Sequence, residues 1–203
     1  MMIYFTYTLV KQKNMKIGMS NATFYYEWLG VEKNQFRILS LLAPKGEFIG
    51  NLSDMCRMLN IDTQTRNRNI LRTGISSLAE FGFITSEQKG RTYYLKAIPQ
   101  QTVIEIPAEW LEQIIKHEYT SENISWQAVL KVFLWIIIND KKPTVTRNEI
   151  AEIINAGVDT VTSALNVLEK DFNAIIRKQI IKQTEDGDFR CIGLELQPAA
   201  WWE

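Results

Sequence analysis

The sequence predicts a mostly helical α+β chain in which one order of elements occurs twice, each time as three helices followed by a β-hairpin. Apolar residues at helical spacing occur in two sets, one in each half of the chain. Each set ends in two β-prone segments around a glycine turn, at Gly90 and Gly187. The 203 residues are sufficient for two small cores. The repeat lies in the order of elements and not in identical residues.

These patterns divide the chain into four parts. Two of them carry the repeated order and are called the first and second repeats. The N-terminal part is predicted to be an extension with a strand over 2–10 and a short helix capped by Asn21. The third part is predicted to be a connector with a mixed helix around Glu109–Tyr119. The four parts are the extension over 1–32, the first repeat over 33–98, the connector over 99–122 and the second repeat with a C-terminal tail over 123–203.

The first repeat begins with a helix from Lys33 that Pro44-Lys45-Gly46 terminates. Asn51 is predicted to cap the second helix, and Gly82 suits the residue after the third. A short strand is predicted between the first two helices, and the hairpin follows the third. The predicted elements after the first helix are a strand at Glu47–Ile49, helices at Asn51–Leu59 and Thr63–Phe81, and strands at Phe83–Ser86 and Thr92–Ala97.

The second repeat begins with a strongly apolar helix over Ser125–Ile138. Thr146 and Glu149 have the spacing of a capping box, which predicts the start of the next helix. A third helix and a hairpin follow, with Thr184–Asp188 as the turn. They are predicted at Asp159–Asp171, Ile175–Gln183 and Phe189–Leu196.

A distinctive order of residues closes the first repeat. It runs Ser76-Ser-Leu-Ala-Glu-Phe-Gly-Phe-Ile and then Lys89-Gly-Arg-Thr-Tyr-Tyr-Leu. These segments resemble the winged helix-turn-helix DNA-binding superfamily of bacteria, in which a helix ends at a glycine and a basic wing tip precedes a Tyr-x-Leu strand. The second repeat resembles this layout more weakly, because its wing tip is not basic. The resemblance implies two tandem winged helices, an architecture also found in plasmid replication initiators, and it implies DNA binding.

The third helix of the first repeat has two chemically different sides. A helical wheel places Leu71, Gly74, Ile75 and Leu78 on the side that faces the core. No carboxylate occurs between Thr63 and Ala79. Arginine reads guanine edges and asparagine reads adenine edges in the major groove, so we predict base or phosphate contacts. A plain solvated surface is the alternative. The outer side carries Thr65, Arg66, Asn69, Arg72, Thr73 and Ser76.

Further DNA contacts are predicted beside this helix. Arg68 lies on its flank, where a phosphate contact is more plausible than base readout. Lys89 and Arg91 at the wing tip suit minor-groove or backbone contacts, with a solvated turn as the alternative. Gln64 and Lys45 are weaker phosphate candidates.

Charge separates the two repeats although the whole chain has no net charge. Residues 33–98 hold ten Lys/Arg against five Asp/Glu, whereas 123–198 hold nine against ten. The second repeat has the acidic tip Glu185-Asp186-Gly187-Asp188, which DNA would repel. Its third helix shows Asp159, Ser163, Asn166 and Lys170, a poor phosphate clamp. We therefore expect the second repeat to pack against a partner, such as a second copy in a homodimer. Docking of Trp201 and Trp202 onto protein is the preferred alternative to a disordered tail.

The sequence offers little support for an enzyme. His117 is the only histidine, so a Ser-His-Asp triad would depend on one unsupported residue and a multi-histidine metal site is excluded. Cys56 and Cys191 lack metal-type spacing and are expected to be buried, reduced thiols. No cofactor, metal or membrane partner is predicted. The N-terminus does not resemble a signal peptide, so a cytoplasmic protein is expected.

The prediction is a non-enzymatic protein that binds double-stranded DNA sequence-specifically, most simply as a transcriptional regulator. A replication initiator of a plasmid or other mobile element is an alternative, because tandem winged helices suit repeated origin sites. A scaffold that binds proteins through winged helices is a third hypothesis. The zero net charge favours the scaffold, and the third helix without carboxylates disfavours it.

Overall fold

A computed structural model describes residues 20–119, 124–140, 142, 144–184, 186 and 188–199. The chain forms two compact units, unit 1 over Met1–His117 and unit 2 over Glu118–Glu203. The described residues contain seven α-helices, one 3-10 helix and seven strands, which confirms the mixed α+β class. None of these helices combines the length and the apolar content needed to cross a membrane. The predicted strand over 2–10 and the terminal tryptophans lie outside the described residues.

Three helices and a three-stranded antiparallel sheet form the centre of unit 1. The sheet has the order β2 (Glu47–Gly50), β4 (Thr92–Ala97), β3 (Ile84–Lys89), so the first strand of the unit's centre pairs with the last strand of its hairpin. All the elements predicted for the first repeat are present, with ends shifted by a few residues. They are α1 (Lys33–Leu42), β2 (Glu47–Gly50), α2 (Leu52–Met58), α3 (Thr65–Glu80), β3 (Ile84–Lys89) and β4 (Thr92–Ala97).

Helices α1 and α3 pack closely because α3 has a glycine where they meet. A Cβ at Gly74 would lie 2.8 Å from Cδ1 of Ile38 and 3.9 Å from the carbonyl oxygen of Asn34 on α1. Real Cβ atoms do not approach carbon so closely, so a larger residue would force the Ile38 side chain to move. Phe36 and Leu39 of α1 are fully buried in the core beneath.

Short polar residues set both ends of α2. The Asn51 side chain accepts hydrogen bonds from the backbone N–H groups of Ser53 and Asp54, and Asp54 accepts one from the Asn51 N–H, which confirms the predicted cap. Asn60 follows the helix with a φ of 51°, a left-handed conformation that asparagine tolerates. This residue turns the chain towards α3.

The N-terminal extension and the predicted connector belong together, which differs from the prediction. Asn21 does not cap a helix but begins β1 (Asn21–Tyr25), and a 3-10 helix follows at Tyr26–Gly30. β1 pairs antiparallel with β5 (Val103–Pro107), inside the segment predicted as a connector. Helix α4 (Ala108–Lys116) then follows within unit 1, near the predicted mixed helix. Ala22 and Phe24 are therefore buried as strand residues, and the alternating Asn21 and Thr23 are half-buried.

Unit 2 repeats the order of the centre of unit 1. Thr146 caps α6 through the predicted box with Glu149, and Asn155 follows that helix with a φ of 52°. In place of a third strand, Val145 makes a single antiparallel bridge to Leu194. The elements are α5 (Trp126–Ile138), α6 (Arg147–Ile153), α7 (Val158–Lys170), β6 (Ile175–Gln183) and β7 (Phe189–Pro198).

Helix α5 is buried along nearly its whole length, as its apolar sequence predicts. It also buries one cation, because the Lys131 side chain is 4% exposed. The Lys131 Nζ donates to the carbonyl oxygen of Ile154 at the C-terminal end of α6, at 3.0 Å. A cation is favoured at a helix C-terminus, although burial lowers the pKa of Lys131 to about 8.

The β6–β7 hairpin is only partly packed. Near its base, Ile175 and Leu196 are buried. Further along the strands, beyond a β-bulge at Ile180/Ile181, Ile181 is 58% exposed and Phe189 is 72% exposed. Ile180 pairs with Gly193 and Ile181 with Cys191, so the extra residue of the bulge, Ile192, belongs to β7. β6 therefore keeps its alternation, and Ile181 lies on the same side of the hairpin as Ile175. One side of the hairpin is thus apolar along its length, but it is buried only near the base.

Candidate nucleic-acid interface

Helix α3 has a buried side and an exposed side that agree with the wheel. The four residues predicted to face the core, Leu71, Gly74, Ile75 and Leu78, are its buried residues. The six predicted on the outer side are all exposed, and Arg68 is half-buried on the flank. The exposed set is Thr65, Arg66, Asn69, Arg72, Thr73 and Ser76.

Hydrogen bonds link several side chains along this outer side. The Arg72 NH1 group donates to the Asn69 Oδ1 at 2.9 Å, and the Arg68 NH2 group donates to the Thr65 Oγ1 at 3.1 Å. The Ser76 hydroxyl donates to the Arg72 carbonyl oxygen at 3.3 Å. Arg66 makes no such bond among the described residues. Two of the three arginines are therefore held by local partners.

Positive charge on α3 is not neutralised by nearby carboxylates. Within the described part of the chain, no carboxylate lies within ion-pair distance of Arg66 or Arg72. The exposed acids Asp62 and Glu80 lie at the two ends of the helix. An exposed helix face that carries cations and hydrogen-bond donors without carboxylates suits a polyanion.

The hairpin tip of unit 1 differs in part from the prediction. The turn consists of Gly90 and Arg91, and Gly90 has a φ of 61°, as the tight hairpin turns require. Lys89 ends β3, where its Nζ lies 3.0 Å from Glu87 and 5.2 Å from the centre of the Tyr94 ring. The hydrogen bond that Lys89 donates to the Glu87 carboxylate raises the pKa of Lys89. Arg91 is exposed in the turn and has no ion-pair partner among the described residues, so it is the more available cation.

The two weaker candidates are exposed but less directly placed. Gln64 is the residue before α3, and its side chain does not cap the helix. Lys45 lies in the turn between α1 and β2.

The two cysteines differ in exposure. Cys56 is buried, as predicted, whereas Cys191 is exposed on β7. The expectation that Cys191 is buried was wrong, because Cys191 lies beyond the β-bulge, in the distal part of the hairpin.

Helix α7 of unit 2 has the same buried pattern and a different outer side. Its residues Asn166 and Ser163 are half-buried, whereas the outer residues of α3 are exposed. The Arg177 NH2 group of β6 donates to Asn166 at 3.2 Å and forms an ion pair with Glu169. Asp159 adds a negative charge at the start of the helix. This face is unsuited to a polyanion and is partly occupied by its own hairpin.

No protein-family model and no curated protein sequence matches this chain. The assignment of a function therefore depends on the residues and on their placement. The features that distinguish unit 1 are the exposed cations of α3 and the exposed Arg91 at its hairpin turn.

Proposed function

We propose that this chain is a non-enzymatic, cytoplasmic protein that binds double-stranded DNA in a sequence-specific way, with α3 in the major groove. The observation that carries the proposal is the exposed outer side of α3, which presents arginine, asparagine and hydroxyl groups and no carboxylate. These groups are the donors and acceptors that read base edges and phosphates.

The order of elements supports a winged-helix interpretation of both units. Unit 1 has three helices, a short strand after the first and a hairpin after the third, with that strand paired to the hairpin. Unit 2 has the same order, with a single bridge at Val145 in the place of the short strand. On this interpretation α3 is the recognition helix, and the turn at Arg91 is the wing tip that contacts the DNA backbone.

Unit 2 is proposed to hold a protein partner, and a second copy of the chain is the simplest one. Its third helix lacks a cationic face, and its hairpin has acidic Asp186 and Asp188 at the turn together with exposed Ile181 and Phe189. A homodimer would place two copies of α3 about one or more helical turns apart on DNA. A transcriptional regulator would use such a dimer on inverted repeats.

A replication initiator is the second candidate. The tandem arrangement of two similar units favours it, since tandem winged helices suit repeated origin sites. Comparison of binding to inverted and direct repeats of one selected site distinguishes the two. A preference for inverted repeats supports the regulator.

The test is a fluorescence-anisotropy titration with random duplex DNA at several salt concentrations. Arg66→Ala and Arg72→Ala in α3 are expected to weaken binding, whereas Lys170→Ala at the end of α7 serves as a matched control. Binding that falls steeply with salt supports a phosphate-contacting surface. Absence of binding at low salt, or equal losses in all three variants, contradicts the proposal and favours the protein-binding scaffold.

A further inference from the structure

Two exposed arginines on the same face of α3 differ in how firmly they are held. The Arg72 guanidinium donates to the Asn69 side chain one helical turn earlier, at 2.9 Å. Arg66 lies six residues before Arg72, nearly two helical turns away, and has no hydrogen-bond partner among the described residues. The same residue type on the same face therefore occurs once with an orienting partner and once without one.

The bond to Asn69 restricts the orientation of the Arg72 guanidinium. An arginine side chain has several rotatable bonds, and a group that is already oriented loses less freedom when it meets a rigid base edge. One NH1 hydrogen is used by Asn69, and the remaining N–H groups of the guanidinium stay available. Guanine presents two acceptors, O6 and N7, at a spacing that a guanidinium matches.

The Asn69 side chain is altered by the same contact. Its oxygen accepts from Arg72, and its NH2 group makes no hydrogen bond among the described residues. Reading adenine requires the amide to accept and to donate at once, whereas here Arg72 competes for the oxygen and both N–H donors are unused. The joined pair is thus a surface of donors that suits acceptor-rich base edges.

On the basis of the proposed DNA binding, we propose that Asn69 is a positioning residue for Arg72 and that the pair specifies guanine at one base pair. Arg66, which lacks an orienting partner, contributes a sequence-independent phosphate contact. The pair therefore determines which site is bound, and Arg66 contributes to how tightly any DNA is bound.

The experiment begins with selection of a site from a random duplex library by the wild-type chain. Each guanine of the selected site is then replaced by adenine, and affinity is measured for both versions at two salt concentrations. The variants are Arg72→Ala, Arg72→Lys, Asn69→Ala, the double variant Asn69→Ala/Arg72→Ala, and Arg66→Ala as the matched control. All the changed side chains are exposed, and circular dichroism verifies folding.

One guanine is expected to lose its preference of about 5- to 150-fold over adenine in Arg72→Ala, in line with a bidentate arginine contact. Arg72→Lys keeps the charge and loses the two-pronged geometry, so it should lose the same preference with less loss of affinity on random DNA. Asn69→Ala should lose preference at that same guanine, and the double variant should be no worse than Arg72→Ala. Arg66→Ala should lower the slope of log affinity against log salt by about 1 and leave every base preference intact.

Independent losses would overturn the proposal. If Asn69→Ala and Arg72→Ala change different base pairs, or if their effects add in the double variant, Asn69 does not position Arg72. If Arg66→Ala erases a base preference, the division of labour between the arginines is wrong. Failure of the wild-type chain to bind random duplex DNA is a separate result, and it contradicts the proposed function before any variant is compared.

Discussion

Helices α3 and α7 share four buried positions, separated by 90 in the sequence, and have different outer sides; α7 buries Val167 in addition. The buried residues Leu71, Gly74, Ile75 and Leu78 of α3 correspond to Val161, Ala164, Leu165 and Leu168 of α7. The outer positions of Asn69 and Arg72 correspond to Asp159 and Thr162. The core pattern therefore accounts for the shared architecture, and the outer residues separate the proposed roles of the two units.

The two hairpins differ in a related way. The strands β3 and β4 have six residues each, and their core-facing residues Tyr93 and Leu95 are buried. The strands β6 and β7 have nine and ten residues, and their distal apolar residues Ile181 and Phe189 are exposed. The first hairpin ends in Arg91 and the second in an acidic turn. Length and charge both agree with the protein partner proposed for unit 2.

The largest expected effects come from corresponding leucines in the two cores. Leu78 and Leu168 are both fully buried, and substitution of either by alanine should lower the stability of its own unit by about 2–5 kcal/mol. The reaction of the buried Cys56 thiol with a labelling reagent reports on the opening of unit 1. We expect Leu78→Ala to accelerate this labelling by at least about 30-fold, since every 1.4 kcal/mol is tenfold.

Leu168→Ala is the matched control for this comparison. It should leave the labelling of Cys56 unchanged if the units unfold independently. Equal acceleration by both variants would show that they unfold as one cooperative body, and it would break the comparison between separate units. The exposed Cys191 should be replaced by serine in all variants, so that only Cys56 reacts.

The next largest effect is a pH dependence confined to unit 2. Burial lowers the pKa of Lys131 to about 8, whereas the unfolded lysine titrates near 10.5. Between these values the unfolded chain binds more protons, so the stability of unit 2 should rise as pH increases from about 8 to 10.5. The increase is at most about 3 kcal/mol, because one pKa unit corresponds to 1.36 kcal/mol.

Thermal unfolding of wild-type and Lys131→Met chains over this pH range measures the effect. The difference in stability between the two chains should change with pH in the direction given above. A constant difference would mean that Lys131 is not titrating in the folded state near pH 8. Other groups that titrate in this range affect both chains and cancel in the difference.

Smaller and similar effects are expected from the two helix caps. Asn51→Ala and Thr146→Ala should each lower the stability of their unit by about 1 kcal/mol, because each removes hydrogen bonds to the first turn of a helix.

The Glu149 carboxylate of the second cap gives a related pH dependence. It accepts hydrogen bonds from the Thr146 backbone N–H and from the Lys142 and Thr146 side chains, and these bonds lower its pKa to about 2. The Glu149 contribution to unit 2 should be present above pH 4.5 and be lost as pH falls towards 2. Denaturant titrations at pH 7 and pH 3 measure both changes, and an unchanged Thr146→Ala midpoint at pH 7 would contradict the role of the box.

The smallest effect distinguishes the two cations of the first hairpin. Arg91→Ala should lower the slope of log affinity for DNA against log salt by about 0.9, the value for one lost phosphate contact. Lys89→Ala should lower it by less, because Lys89 is paired with Glu87 and lies against Tyr94. A larger change in Lys89→Ala would mean that DNA displaces the Glu87 pair.

The sequence predicts the centre of each unit well because its signals are local. The buried side of α3, the caps at Asn51 and Thr146 and the turn at Gly90 each depend on residues a few positions apart. The segment around Asn21 was wrongly predicted because its partner is distant. β1 pairs with β5 some 80 positions later, and the spacing of Phe24 and Trp28 also fits a helix.

The candidate site could be predicted in its composition but not in its internal contacts. The exposed residues of α3 follow from the helical period once the helix is placed. The pairing of Lys89 with Glu87 and Tyr94 depends on the strand register, and the bond between Arg72 and Asn69 depends on side-chain rotamers. Neither the register nor a rotamer is encoded in residue spacing alone.

The β-bulge at Ile180/Ile181 divides the β6–β7 hairpin into two parts whose backbone amides should exchange with solvent at different rates. Backbone amides paired near Ile175 and Leu196 lie over buried side chains, so their exchange with solvent deuterium should require unfolding of the whole unit. Amides beyond the bulge lie beside exposed Ile181 and Phe189, and local fraying is enough to release them. The hairpin should therefore show a step in exchange rate at the bulge, with a stable base and a tip that opens and closes without disturbing the rest of unit 2.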